Sequence, residues 1–454
     1  MQTNLAPFIK DTPEGKEADA ILRKCTHCGM CTATCPTYQL LSDELDGPRG
    51  RIYLIKQMLE GATPTAKTQL HLDRCLTCRA CETTCPTGVR YGRLVDIGRY
   101  VVEARVARSA VEFAWRGALN AVISRSSLFG PLLKIGQLAR PLLPFALKRK
   151  VPPAAALAGP WPAPAHARRM LVLEGCVQPS LSPATNAAAA RVLDRLGISL
   201  ERAAGAGCCG GVSFHLNMQD QALDVMRRMI DAWWPHIEEG AEAIVMTASG
   251  CGVTVKDYGH LLQHDPDYAA KAKRVSEMTK DISEIISAES AKLKPLIIHH
   301  STAASDTSSQ DFNSSTSAAL RAAGGQIPAK ERGPSSAPRR APIIRQRVAF
   351  HCPCTLQHGL KLEGTVESLL TALGHELTPV PDAHLCCGSA GTYSILQPEL
   401  SQRLLANKIA ALESGEPTAI LTANIGCQAH LQTATSLPVR HWIEALGDNL
   451  ASGD

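Results

Sequence analysis

The chain has 454 residues, enough for two to four domains of ordinary size, and its formal net charge of +5 is too small for the dense basic face of a nucleic-acid binder. Hydrophobic residues make up 45% and aromatics only 4%, so the cores must be built from Leu, Ile, Val and Ala. No apolar run reaches the length of a spanning helix, and the polar, acidic stretch Met1 to Ala20 does not read as a secretory signal.

The 17 cysteines are an odd number in a chain read as cytoplasmic, where clustered thiols serve as metal ligands or catalytic groups rather than disulfides. Two levels of repetition organise them. Cys25-Thr-His-Cys28-Gly-Met-Cys31-Thr-Ala-Thr-Cys35-Pro36 returns as Cys75-Leu-Thr-Cys78-Arg-Ala-Cys81-Glu-Thr-Thr-Cys85-Pro86, at an offset of 50 residues (75 − 25). This C-x2-C-x2-C-x3-C-P run is the bacterial two-cluster ferredoxin pattern, in which the fourth cysteine ligates the other cluster. Cys25, Cys28, Cys31 and Cys85 are therefore assigned to one [4Fe–4S] cluster, and Cys75, Cys78, Cys81 and Cys35 to the second. C-x2-C pairs also bind zinc, but the duplication, the fourth cysteine and the following proline in both copies argue against two zinc sites. Gly47-Pro48-Arg49-Gly50-Arg51 leads into a predicted helix, Ile52 to Leu59, and reads either as a basic loop beside the anionic clusters or as a solvated helix start.

Leu128 to Leu147 is apolar, broken by Pro131, Pro141 and Pro144 and studded with Lys134 and Arg140, with Lys148, Arg149 and Lys150 following. It reads as a broken helix packed between domains; the alternative is a segment lying on an anionic membrane. Val151 to Ala165 is a Pro/Ala-rich linker.

The second level of repetition fills the rest. Cys176, Cys208-Cys209-Gly210 and Cys251 are echoed by Cys354, Cys386-Cys387-Gly388 and Cys427. The gap from first cysteine to pair is 32 in both copies (208 − 176 and 386 − 354), and the gap from pair to last cysteine is 42 and 40 (251 − 209 and 427 − 387). Such spacing marks a duplicated domain. Predicted strands are Arg169 to Glu174, Ala243 to Ala248, Arg347 to His351 and Ala419 to Ala423; predicted helices are Asn186 to Leu196, Gln219 to Trp233, Val366 to Leu373 and Glu399 to Leu412. The alternation gives α/β units around a parallel sheet, with the cysteines at strand ends. The expected fold class is thus α+β multidomain: a mainly helical ferredoxin-like domain (1–110), a connector (111–165), a first Cys-Cys-Gly domain (166–300), a disordered Ser/Ala/Pro-rich linker (301–345) and a second Cys-Cys-Gly domain (346–454).

The four thiols of each half are open to three readings: ligands of a further cluster or metal ion, a reactive thiol pair, or small buried residues beside glycines. Cys352 and His351 are extra donors in the second half. Gly205-Ala-Gly207-Cys-Cys-Gly210 satisfies G-x-G-x-x-G but lacks the acidic residue of a dinucleotide site, and His299 and His300 read as solvated. No catalytic motif appears, so no substrate-oxidising site is expected.

At this point a resemblance becomes specific. The double ferredoxin motif followed by two Cys-Cys-Gly domains resembles the iron–sulfur subunits of membrane-associated respiratory dehydrogenases, including anaerobic glycerol-3-phosphate dehydrogenase and heterodisulfide reductase subunits. His351-Cys-Pro-Cys-Thr-Leu-Gln-His358, Leu385-Cys-Cys-Gly-Ser-Ala-Gly-Thr-Tyr393, Thr422-Ala-Asn-Ile-Gly-Cys-Gln428 and Val439-Arg-His-Trp442 look like the glycolate oxidase iron–sulfur subunit family. The resemblance covers nearly the whole chain except Ser301 to Ala341. It implies an electron-transfer subunit on the inner face of the cytoplasmic membrane. A partner subunit carrying FAD would oxidise glycolate, and D-lactate with it, and electrons would pass toward a quinone or another membrane acceptor. The heterodisulfide-reductase domains that bind non-cubane clusters carry a further cysteine three residues after the last one; here those positions are Thr254 and His430. Two competing readings stand beside it: a self-contained disulfide reductase working through Cys386 and Cys387, and a zinc-binding scaffold.

Overall fold

The computed structural model describes residues 1–144, 148, 151–155, 157–293 and 346–451. The stretch 301–345, with His299 and His300, lies outside the described residues.

The N-terminal module is helical. Helix α1 (Pro13–Lys24) starts where the Thr12 side chain caps the Gly15 N–H, and it turns Ala18, Ile21 and Leu22 inward. Then come α2 (Pro36–Leu41), α3 (Pro48–Leu59), α4 (Ala66–Asp73), the short α5 (Ala80–Thr83) and α6 (Tyr91–Arg105). Pro36 and Pro48 each fall in a first turn, where the missing N–H has no helical partner to lose. Ile52, Ile55, Met58 and Leu59 of α3 meet Leu94, Val95 and Val102 of α6 in one apolar core.

A hairpin of α7 (Ala110–Ile123) and α8 (Ser126–Ala139) follows. The helix over the Leu128 segment is broken as expected, passing through Pro131 into a single 3-10 turn at Arg140–Leu142. It packs on α7 and on the short helix Gln178–Leu181 of the first Cys-rich half, but on one side only. Only Gly130 of α8 is buried, while Phe113, Trp115, Leu132, Ile135, Leu138 and Leu142 are exposed. The connector presents its apolar side outward.

The two Cys-rich halves are α/β units with the same topology. The first has parallel strands β1 (Arg168–Val172), β2 (Ile198–Arg202), β3 (Ile244–Met246) and β4 (Thr279–Asp281) in the order β2-β1-β3-β4. The second has β5 (Arg347–His351), β6 (Glu376–Leu377), β7 (Ala419–Thr422) and β8 (Val439–His441) in the order β6-β5-β7-β8. Strand alternation divides the burial. Met170, Val172 and Val245 face a core shared with Val348, Phe350 and Leu421 of the other half, while Leu171, Ile244 and Met246 face a separate one. The shared core makes the two halves one packed body, and residues of helices 183–195 and 442–451 contribute to it.

This strand order reverses between β1 and β3, and again between β5 and β7. Ligands of open α/β sheets gather at such a switch point, outside the carboxyl ends of the strands. Cys176 and Cys251 follow β1 and β3, and Cys354 and Cys427 follow β5 and β7, so each pair brackets a switch point.

Candidate functional site

The two ferredoxin loops are built alike. In the first, His27 (φ 61°) and Gly29 (φ 84°) are left-handed; in the second, Thr77 (φ 52°) and Arg79 (φ 60°) take the matching positions. Three of these four are not glycine, in a region that side chains rarely enter. The loops hold it because three thiols spaced at i, i+3 and i+6 must turn toward one point. Arg79 is fixed by an ion pair to Asp257 at 2.5 Å, which ties the second loop to the first Cys-rich half.

Two clefts result. The first is lined by Cys25, Cys28, Cys31 and Cys85 with Arg49 and Pro48. The second is lined by Cys35, Cys75, Cys78 and Cys81 with Arg51. The fourth cysteine of each repeat therefore stands with the three thiols of the other. Pro48, Cys81 and Tyr91 line both clefts and form the wall between them.

The donor set suits a cubane. Burial, reinforced by neighbouring thiolates, pushes the Cys31 thiol up to about 11 and raises Cys78 and Cys81 well above their ordinary value. Four thiolates crowded about one cleft can ionise together only around a positively charged core, which an iron–sulfur cluster provides. Hydrogen bonds are in place for the sulfurs. The Thr77 N–H donates to Cys75 Sγ at 3.4 Å, the Val89 N–H to Cys85 Sγ at 3.5 Å, and Tyr91 Oη to Cys75 Sγ at 3.6 Å.

Gly47–Arg51 is the start of α3, and its two arginines also line the clefts. Arg49 lines the first cleft and holds Glu44 through two hydrogen bonds, at 2.6 and 3.0 Å. Arg51 lines the second and is only 1% exposed. Burial opposes its charge, but Tyr91, Cys75, Cys35 and Asp46 outweigh that and hold it firmly protonated. It donates to His71 O at 2.7 Å and Thr37 Oγ1 at 3.2 Å and faces the fully buried Asp46 at 3.4 Å. Asp46 also receives Arg74 at 2.8 Å and His71 Nδ1 at 3.1 Å. Neither the Asp46 network nor Tyr91 carried a sequence signal, since their partners are far apart in the chain.

The thiols of the Cys-rich halves also converge. In the first half, hydrogen bonds link Cys208 to Cys176 and Cys209, and these lower the Cys208 thiol while raising its two neighbours. Tyr258 Oη donates to Cys209 O at 2.8 Å, and the Gly210 N–H donates to Cys208 Sγ at 3.4 Å. In the second half, Cys354 and Cys386 Sγ lie 3.9 Å apart, and Asn424 Nδ2 donates to Cys427 Sγ at 3.6 Å. The glycine after each pair explains the shared Cys-Cys-Gly. Gly210 and Gly388 sit at φ 83° and 88°, turning the chain back after the two thiols. The Gly205 to Gly210 stretch belongs to this turn. The two extra donors part company: Cys352 is buried in the shared apolar core, while His351 lies with Cys387 and Cys427.

The modules meet at the second cleft. Leu76 packs with Cys386, Tyr393, Leu400 and Leu404, and Cys78 and Cys354 join the same cluster. Thr83 hydrogen-bonds His358 at 3.1 Å, and Glu17 receives His260 at 2.7 Å and Arg93 at 2.9 Å.

Comparison with known proteins agrees with this geometry. Residues 21–89 match a 4Fe-4S dicluster domain, and residues 170–256 and 348–432 each match a cysteine-rich domain. The chain is 52% identical to the glycolate oxidase iron-sulfur subunit of Escherichia coli K12, over 98% of both chains. It is 26% identical to a probable glycolate oxidase iron-sulfur subunit of Bacillus subtilis, over 89% of this chain and 87% of that one. A lactate utilization protein A of Bacillus velezensis is 25% identical over 53% of this chain and 80% of its own length. With a cluster-binding ferredoxin module and a duplicated cysteine-rich body in the same order, and with more than half its residues identical across nearly the full length of one such relative, the chain belongs to the family of glycolate oxidase iron–sulfur subunits.

Proposed function

We propose that this chain carries electrons within a complex whose flavin-bearing partner oxidises glycolate to glyoxylate, with D-lactate as a second 2-hydroxy acid, and that the electrons leave toward a quinone. When bound, a [4Fe–4S] cluster supplies one-electron chemistry at each cleft. Cys25, Cys28, Cys31 and Cys85 would hold one, and Cys75, Cys78, Cys81 and Cys35 the other. Around them the chain itself places Arg49 and Arg51 beside the thiolates and donates hydrogen bonds to sulfur. The observation that carries this reading is the common wall of the two clefts, which sets two one-electron sites side by side.

The test is reconstitution. The purified chain alone should reduce no dye with glycolate, and adding the flavin subunits should restore turnover. Glycolate oxidation by the chain alone contradicts the reading.

The α7–α8 hairpin supports a place on the inner face of the cytoplasmic membrane. Its outward side carries Phe113, Ile135, Leu138 and Leu142 at 68%, 63%, 81% and 89% exposure. Between Glu112 and Glu174 the chain has no acidic residue, yet it has Arg116, Arg125, Lys134, Arg140 and Lys148. An apolar face flanked by cations suits an anionic lipid surface. No helix among the described residues is long and apolar enough to cross a membrane. Ile135→Glu with Leu138→Glu should weaken co-sedimentation with phosphatidylcholine/phosphatidylglycerol vesicles several-fold. Unchanged binding would remove the hairpin from the membrane contact.

A further inference from the structure

We propose that the second cysteine-rich half, and not the first, holds a single tetrahedral divalent ion of the zinc type, with His351, Cys387 and Cys427 as ligands. The site is independent of the two ferredoxin clefts and of the electron-transfer reading.

Geometry makes the first argument. One donor atom from each of these three residues lies within 4.8 Å of the other two, and all three residues are buried. Around one tetrahedral ion, with metal–sulfur bonds of about 2.3 Å and metal–nitrogen bonds of about 2.0 Å, donors must converge to this degree. The corners of a cubane hold their thiolates farther apart. Accordingly, none of the eight ferredoxin-motif cysteines forms such a close triplet among the described residues. The second half is therefore shaped for one ion, not for a third cluster.

The second argument is an unanswered polar atom. His351 is 2% exposed, and its Nε2 is buried with no hydrogen-bond partner among the described residues. A buried imidazole nitrogen left alone is costly, and native proteins rarely leave one without a role. Thiolates with a neutral imidazole form the donor set of a closed zinc site. The thiol of Cys386 contacts that of Cys387, stands outside the triplet and is a candidate for a fourth position. Asn424, which donates to Cys427 Sγ at 3.6 Å, would orient that ligand from behind.

The duplication supplies the control. His351 stands three residues before Cys354, and the residue three before Cys176 is Leu173. Leu173 packs in the apolar cluster that holds Cys209, so the first half has no nitrogen at this place. The two halves share a sheet and a cysteine pattern but differ at this donor.

The experiment is metal analysis with zinc-edge X-ray absorption on the full chain, purified anaerobically. The expected result is one zinc per chain beside the cluster iron, with one nitrogen and at least two sulfurs around it. His351→Leu, which installs the residue of the first half, should lower zinc at least tenfold while iron is kept. Absence of zinc, an all-sulfur shell, iron sufficient for a third cluster, or zinc retained in His351→Leu would each overturn the proposal. Should His351→Leu lose iron as well, the variant has misfolded, and the absorption shell of the unaltered chain decides alone.

Discussion

The buried carboxylate of Asp46 offers a sharp test of how the cluster module is held together. Asp46 is fully buried and faces three potential cations: Arg74 at 2.8 Å, His71 at 3.1 Å and Arg51 at 3.4 Å. Asp46→Asn keeps the shape and removes the charge. It leaves the Arg51 guanidinium, 1% exposed, with no other carboxylate among the described residues and with only the thiols of the second cleft and two neutral acceptors beside it. Breaking a buried pair in this way costs about 3–5 kcal/mol, or about 2.2 to 3.7 decades in the folding equilibrium. Arg51→Met costs less, about 1–3 kcal/mol, because Asp46 keeps Arg74. The sign of the coupling is the diagnostic part. In Asp46→Asn/Arg51→Met no isolated guanidinium remains, so the double variant should be more stable than Asp46→Asn alone. Denaturant titration of all four proteins, followed by loss of the visible cluster absorption, measures this. Strictly additive effects, or a double variant weaker than either single one, would refute the reasoning.

Other outcomes follow from single contacts. Burial alone would raise the Glu17 carboxyl, but hydrogen bonds from His260 and Arg93 and the charge of Arg93 take it from 4.5 to about 2. Its contribution is complete above about pH 5 and is lost as pH falls through 4.5 toward 2. The melting-temperature gap between the native chain and Glu17→Gln should therefore shrink from pH 6 to pH 3, and a constant gap would contradict it. Gly388→Ala places a Cβ 2.7 Å from Ser401 O at φ 88°, whereas Gly210→Ala meets Ala222 O at 3.1 Å. We expect a loss of about 2–4 kcal/mol for the first and about 1–2 kcal/mol for the second by denaturant titration; the reverse order would be inconsistent with these contacts. Cys28 is exposed while Cys75 and Cys81 are buried. Brief exposure to oxidant should then release four irons from the first cleft before the second, as read by paramagnetic resonance.

Local pattern carried much of this architecture. Apolar runs ending at cysteines located the strands now seen as β1, β3, β5 and β7, and the helices between them fall within a few residues of expectation. The outer strands escaped notice because they are too short or too polar to stand out: β4 is Thr279–Asp281 and β6 only Glu376–Leu377. The crossed grouping of the ferredoxin cysteines is proposed from the repeated motif, and the lining of the two clefts is in keeping with it. The environment of those cysteines was not legible, because Asp46, Tyr91 and Asp257 reach them through tertiary packing that leaves no spacing in the chain. The Leu128 segment was misjudged for a related reason. An apolar run interrupted by prolines looks like buried filler, and only the fold shows that α8 packs on α7 and on the short helix Gln178–Leu181 while its remaining apolar side faces outward. His351 was visible as a donor, but its convergence with Cys387 and Cys427, and the diversion of Cys352 into the core, depended on how β5 is laid against β7.

The most direct test of the central claim counts iron in two double variants purified without oxygen. Cys25→Ala with Cys85→Ala removes two ligands of one proposed cluster and should leave four irons per chain with one intact cubane signal. Cys25→Ala with Cys35→Ala takes one ligand from each and should damage both, leaving little iron and no intact signal. The opposite pattern, with one cluster surviving Cys25→Ala/Cys35→Ala and both lost in Cys25→Ala/Cys85→Ala, would show that each repeat ligates its own cluster and would contradict the crossed arrangement.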